Sequence, residues 1–478
     1  MKGIIFSAAL LALPLREVRA QGAKAVQRLR RAPVSAEVLK VRLPRPVKAA
    51  LPNGLSVVVV EQHKLPTVAF SLWVRSGPLS DPADLPGLAE FAAEMLEEGT
   101  KTRSSEVLSR EIEELGANVD AAAPWGGDLS QVLAGGMTED ADRIMELMRD
   151  MATNPAFTAD ELEKYKKRRL SQLEEQRAQP RFLASERLRA ELYGAFPGAR
   201  VSATPESVSK VSAADLKAFH EKHFVPANAV LGIAGDLTAE KALALAKKHF
   251  GSWKGAAPSK APLADLPPAP AKAVALVERP GSVQTEIMAG ARALKRTDPD
   301  YIPTVVANRV FGGGPSARLF LNLREEKGYT YGAYSYLSAD LYPGPWNAWT
   351  AVRTEVTEPA LKDLFAEFAR LRDEPVPADE LLEAKNSIVA KFALALESPQ
   401  ALLDSWLTVE YYGLAQDYWD RYPEAISAVD AAALRRAAGA YLDPSRLQLV
   451  CVGDPAKIKT LLGQFGPLAA YDTAGKRK

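Results

Sequence analysis

Apolar and polar positions along this chain switch between two periods. Residues 54–61 and 68–74 are dense in valine and other strand formers, and 63–66 separates them, which predicts two neighbouring strands joined by a turn. In 104–115 the apolar positions Val107, Leu108, Ile112 and Leu115 fall at helical spacing, and Gly116 closes the run. Residues 158–179 predict a long, polar-faced helix stopped before Pro180. The apolar run 229–234, followed by Gly235-Asp236, predicts a buried strand. Helices grouped against antiparallel strands point to an α+β fold.

The pattern is written twice. Val208-Ser-Lys-Val-Ser-Ala-Ala-Asp-Leu216 returns as Ile426-Ser-Ala-Val-Asp-Ala-Ala-Ala-Leu434, and Pro226 and Gly235-Asp236 return as Pro444 and Gly453-Asp454, an offset of 218 (444 − 226). Ala159-Asp-Glu-Leu162 returns as Ala378-Asp-Glu-Leu381, and Pro180 as Pro399, an offset of 219 (399 − 180). A tandem duplication of two homologous domains follows, at 46–254 and 273–470. Residues 255–272 carry five prolines among alanines and read as an extended linker.

Composition narrows the class. A chain of 478 residues, 47% hydrophobic and 25% charged, suits a globular protein of more than one domain. A net charge of +1 gives no reason to expect nucleic acid or an anionic membrane as partner. The single cysteine, Cys451, excludes an internal disulfide, and four histidines leave little material for a histidine-rich metal centre. At the start, Lys2 precedes a short apolar stretch at 3–15, and Val18-Arg19-Ala20 offers a cleavage site. We expect a signal peptide at 1–20, an N-terminal arm at 21–45, and an exported, periplasmic protein. The apolar stretch falls short of the ~20 residues a membrane span needs, and no later run reaches that length.

Candidate chemistry begins at residues 87–100, Gly-Leu-Ala-Glu-Phe-Ala-Ala-Glu-Met-Leu-Glu-Glu-Gly-Thr. On a helix Glu90 and Glu94, at i and i+4, share one face. The segment resembles the zinc helix of the pitrilysin/insulinase-like metallopeptidases, the inverzincins, whose signature is H-x-x-E-H. The resemblance extends over about residues 45–465, duplication included. It implies that Glu90 and Glu94 stand where the two zinc histidines belong, and Ala93 where the general base belongs. The family's third ligand, a glutamate on a later helix, aligns with Gln172. Three readings follow: carboxylates holding no catalytic metal, a weak oxygen site for calcium, magnesium or manganese, or a zinc hydrolase. Ala93 cannot take a proton from water in any of them. His220 and His223, with repeat counterparts Ala438 and Tyr441, read as scaffold, and neither His63 nor His249 has an evident partner in the sequence.

The second half keeps more. Residues 311–336 run Phe-Gly-Gly-Gly-Pro-Ser-Ala-Arg-Leu-Phe-Leu-Asn-Leu-Arg-Glu-Glu-Lys-Gly-Tyr-Thr-Tyr-Gly-Ala-Tyr-Ser-Tyr. The pattern predicts a helix over 318–327, ended by Gly328, and a strand from Tyr329 onward. Gly312–Gly314 lacks the Gly-Lys-Ser/Thr ending of a phosphate loop and reads as a hinge or a substrate-facing loop. Arg324 and Tyr331 resemble the arginine–tyrosine pair of the family's C-terminal half, which binds substrate backbone and steadies the tetrahedral intermediate. Both are donors suited to a carbonyl oxygen gaining charge. The competing reading pairs Arg324 with Glu325 or Glu326 and leaves the tyrosines in a half-buried strand. Within the family the chain looks like the zinc-less subunit of a heterodimer. That likeness implies no cofactor in this chain, zinc in a sister subunit, a clamshell chamber, and unfolded peptide as substrate, added as a strand at a sheet edge. The rivals are a peptide-binding or scaffold protein without activity, and an autonomous hydrolase built on a carboxylate-bound metal.

Overall fold

The computed structural model describes residues 39–259 and 263–478. The expected signal peptide, and the N-terminal arm up to residue 38, lie outside the described residues. Twelve strands form two six-stranded sheets. The first holds β1 (Val47–Ala50), β2 (Ser56–Glu61), β3 (Thr67–Val74), β4 (Asn118–Ala122), β5 (Ser130–Met137) and β6 (Ala229–Gly235), in the order β1-β2-β6-β3-β5-β4. The second holds β7 (Ala273–Glu278), β8 (Gln284–Arg292), β9 (Ala333–Leu337), β10 (Pro345–Arg353), β11 (Gln448–Gly453) and β12 (Leu468–Tyr471), in the order β12-β7-β11-β8-β10-β9. In each sheet one central pair runs parallel, β2 with β6 and β7 with β11, and the next three pairings are antiparallel. The sheets differ at one edge: β1 lies antiparallel to β2, whereas β12 lies parallel to β7. The fold is the α+β duplication that the sequence implies.

The central strands have two apolar faces, so each sheet needs two covers. On β2, Val57 and Val59 join the core beneath the first half's own helices, while Val58 and Val60 point the other way. That second face is covered by a helix from the other half. Leu402, Leu403, Trp406 and Leu407 of the Pro399–Tyr412 helix pack on Val58, Val60, Trp73, Val230 and Ala234. The exchange is reciprocal. Leu183, Ala184, Leu188 and Leu192 of the Pro180–Tyr193 helix pack on Ala275, Val277, Met288, Val450 and Val452. Both helices open on a proline at their first position, where its missing N–H costs nothing. Each half therefore completes the core of the other.

One glycine sets the closeness of that packing. A Cβ on Gly232 of β6 would stand 2.7 Å from Leu403 Cδ1 and 3.0 Å from Leu407 Cδ1. Its counterpart in the repeat is Val450, in the cluster that holds Ala184 and Leu188 of the opposite helix. Gly232→Val is expected to overpack this seam and lower stability by about 1–3 kcal/mol, read as a fall in the thermal midpoint. An unchanged midpoint would show that the seam can yield.

Local expectations hold where caps are in place. The helix Ser105–Glu114 is capped by Ser104, whose side chain accepts from the Val107 N–H, and Ala159–Ala178 is capped by Thr158 onto the Glu161 N–H. Two expectations need correction. The helix expected over 318–327 winds as a π-helix at Phe320–Glu326, with the Lys327 N–H reaching back to the Asn322 carbonyl. The strand expected from Tyr329 starts only at Ala333. Thr330 Oγ1 accepts from the Gly332 N–H and donates to the Gly332 carbonyl, closing a local turn that keeps residues 329–331 out of the sheet. Among the described residues of 255–272 there is no regular element.

Candidate functional site

The helix that carries Glu90, Ala93 and Glu94 is Leu88–Glu94, only seven residues long. Gly87 enters it at φ +98°, and a Cβ there would meet Phe91 and Ala203 at under 3 Å. Asp81 caps the helix by accepting from the Gly87 N–H (2.7 Å) and the Ala89 N–H (2.8 Å). As i, i+4 spacing requires, Glu90 and Glu94 come out on one face. They meet a second i, i+4 pair, Tyr165 and Arg169, on the Ala159–Ala178 helix.

Arg169 Nη2 donates to Glu90 Oε1 at 2.8 Å, and both side chains are nearly buried. The Trp125 indole N–H donates to the same oxygen at 2.8 Å, from the loop between β4 and β5. Tyr165 donates its phenol to Glu94 Oε2 at 2.8 Å. Burial pushes the Glu90 carboxyl up, while the Arg169 charge beside it pulls it back down. Burial, and then the Glu94 charge, also push the Tyr165 phenol up. Gln172, expected at the third-ligand position, sits one turn beyond Arg169, its amide oxygen 3.4 Å from Arg169 Nη1. Ala93 faces the apolar core.

This donor set does not suit zinc. The charge compensating Glu90 is a guanidinium, the oxygen that would bind an ion already accepts from two donors, and among the described residues no three His, Cys, Asp or Glu side chains converge on one point.

Arg324 lies at the end of the π-helix, with its side chain 44% exposed. It pairs with Glu325 and lies 5.2 Å over the Phe320 ring. Tyr331, in the turn before β9, is 93% exposed. Both project from the surface of the second half. Among the described residues no hydrogen bond or ion pair joins either to Glu90, Glu94 or Gln172.

Family models match both halves: insulinase (peptidase family M16) at residues 56–206, and the peptidase M16 inactive domain at residues 210–388. The chain belongs to the insulinase, or M16, peptidase family. It is 25% identical over 366 residues to an uncharacterised zinc protease of Mycobacterium leprae, covering 76% of this chain and 80% of that protein. It is 23% identical over 347 residues to the uncharacterised zinc protease YmxG of Bacillus subtilis, covering 72% and 83%. A crystal structure of a peptidase M16 inactive domain from Pseudomonas fluorescens superposes with a TM-score of 0.80 at 26% identity, over 86% of this chain and 98% of that one. A Helicobacter pylori protease of 19% identity shares the fold, with a TM-score of 0.80 over 86% of this chain and all of that one.

Within this M16 framework the histidines hold structure together. His220 Nε2 donates to the Ala152 carbonyl at 2.8 Å, and burial pushes its pKa down to about 4, so the ring is neutral. His223 packs its ring against Phe219. The two histidines left without partners by the sequence both have one: His63 Nδ1 is 2.7 Å from Asp236, and His249 Nε2 is 2.7 Å from Asp142. Gly312–Gly314 is close-packed against its surroundings, since a Cβ on Gly312 would stand 2.4 Å from the Ser335 nitrogen and Arg309 folds over Gly313 and Gly314.

The cap of the M16 helix is a titration point. Burial lifts the Asp81 carboxyl to about 7, against the pull of its two backbone donors. An acid with a raised folded-state pKa binds more protons folded than unfolded, so stability falls as pH rises from about 4 to about 7. Asp81→Asn should flatten that part of the stability profile in denaturant melts. An unchanged slope would assign it to other groups.

Sequence reasoning missed Arg169, Tyr165 and Trp125. Their signal was faint: an aromatic and an arginine four apart on a polar helix, and a tryptophan before two glycines in a hairpin loop.

Proposed function

We propose that this chain is the non-zinc subunit of a heterodimeric M16 metallopeptidase, exported to the periplasm and inactive alone. A sister subunit brings the zinc, and this chain turns Arg324 and Tyr331 toward it to bind peptide backbone and stabilise the oxyanion. The observation that carries the reading is the Arg169–Glu90 pair. A guanidinium held against Glu90, on the face that the family resemblance assigns to zinc, supports a replacement for a cation over a vacant ligand set. The exposure of Arg324 and Tyr331 supports the second part, since donors meant for another chain's substrate must face outward. The Arg324–Glu325 pair favours one alternative, a peptide-binding scaffold with no catalytic contribution.

The test is peptide hydrolysis by this chain alone and by this chain mixed with a histidine-bearing M16 subunit that copurifies with it. Cleavage is expected only in the mixture, and only with zinc. Cleavage by the isolated chain, abolished by a chelator, would overturn the reading.

A further inference from the structure

The Pro180–Tyr193 helix covers β7, β8 and β11 of the second sheet and thins out over β10, where Trp349 stays half-buried, and β9, where Tyr336 is exposed. On that side a row of stacked groups runs across the sheet. The Phe320 ring, beneath Arg324, lies 5.6 Å from Tyr334 on β9. Tyr334 stacks beside Trp349 on β10, with centroids 6.3 Å apart and planes within 9°. Arg181, reaching over from the first half's exchanged helix, lies 4.0 Å over Trp349 and 3.3 Å from the Tyr336 hydroxyl. Two guanidiniums, one from each half, thus bracket a strip of aromatic rings.

Three features point outward, to a ligand. The row is preset: the Trp349 indole N–H donates to Glu286 on β8, a buried carboxylate that fixes the ring plane. The row is open, with Tyr336 46% exposed. The charge at its far end makes no ion pair: among the described residues no carboxylate lies at ion-pair distance from Arg181, and the buried Glu286 carboxylate feels it only from farther off. Rigid aromatics next to an arginine are the usual anchors of a recognition surface, as they give contact area with little rotamer entropy to lose. Tyr334 and Tyr336, two residues apart on one strand, present a platform for one flat side chain beside the Arg181 charge.

We infer that this strip is a side-chain-reading subsite for extended peptide, taking an aromatic residue on Tyr334 and Tyr336 and an acidic residue two positions away on Arg181. It rests on the reading that this chain handles unfolded peptide, and it gives that peptide a chemistry: aromatic and acidic, not basic. In an extended segment residues i and i+2 share a face, which lets both contacts form at once. Stacked bases would suit the rings too, but a net charge of +1 disfavours a nucleic acid.

The experiment is fluorescence anisotropy on the full chain without any partner, using short labelled peptides with Phe-X-Glu, Phe-X-Lys or Ala-X-Glu at the centre. The Phe-X-Glu peptide is expected to bind about tenfold more tightly than either of the others. Tyr336→Ala, at a half-exposed position, should erase the preference for phenylalanine. Arg181→Glu should reverse the order of the Glu and Lys peptides. Equal binding of the three peptides, loss of all binding in R181E without reversal, or tighter binding of a short oligothymidylate would each overturn the inference. The assay needs no zinc and no cleavage, so its failure is separate from failure of the two-subunit reading.

Discussion

Arg169→Ala is expected to cost about 3–5 kcal/mol of folding stability, the usual penalty for stripping the partner from a buried charge. The guanidinium is the main compensation for Glu90, whose second carboxylate oxygen is buried without a partner of its own. Thermal or denaturant melts measure the effect directly. Its pH dependence has a definite sign. Without Arg169, burial and the Glu94 charge push the Glu90 carboxyl up, with only the Trp125 hydrogen bond pulling it down, and hold its folded-state pKa above the unfolded one. Stability is then lost as pH rises through that interval, so the deficit is largest at neutral pH and shrinks on acidification. Glu90→Gln placed on the Arg169→Ala background should recover part of the loss, because the neutral amide needs no counter-charge. Replacing both residues by leucine and methionine should come close to wild type. A single Arg169→Ala variant as stable as wild type would mean that the two side chains are not coupled, and the proposal that a guanidinium stands in for a metal would fall with it.

If this chain completes a two-subunit enzyme as proposed, Arg324→Ala and Tyr331→Phe should each lower kcat/KM by about 10²–10³, the range seen when one oxyanion donor is removed. Arg324→Lys should restore little, since a point charge cannot replace the planar fork against a carbonyl oxygen. Both side chains are exposed, so the folded fraction should not change and melts serve as the control. Steady-state kinetics with saturating partner decide the matter. If both variants match wild type, this chain contributes walls and no chemistry, and the scaffold reading takes over.

Much of the fold could be read along the chain, because it is encoded locally and then repeated. The stops at Gly116 and Pro180 depend on immediate neighbours, and the 218–219 offsets emerge when the chain is compared with itself, so both are visible without tertiary structure. That Glu90 and Glu94 are not histidines and that Ala93 is no base is likewise plain from residue identity. Which side chain meets Glu90 is not. Gln172 and Arg169 lie within one turn of the same helix, and only the angle at which that helix crosses Leu88–Glu94 decides which one meets Glu90.

The same limit applied in the second half. Alternating aromatics predicted a strand from Tyr329, but Thr330 closed a turn on Gly332, a side-chain bond that periodicity cannot register. The exchanged helices were beyond reach altogether. Two apolar faces on β2 and β6 require two covers, yet nothing local says that the second comes from a helix some 170 residues away (399 − 229 = 170). By itself, the sequence determined most of the strands and helices, their duplication and the residue types at 90, 93 and 94, all of which depend on residue identity and short-range spacing. Tertiary structure alone decided that Arg169 neutralises Glu90, that each half shelters the other's sheet, and that rings from distant segments align between two arginines, because these depend on which surfaces are pressed together once water is expelled from between them.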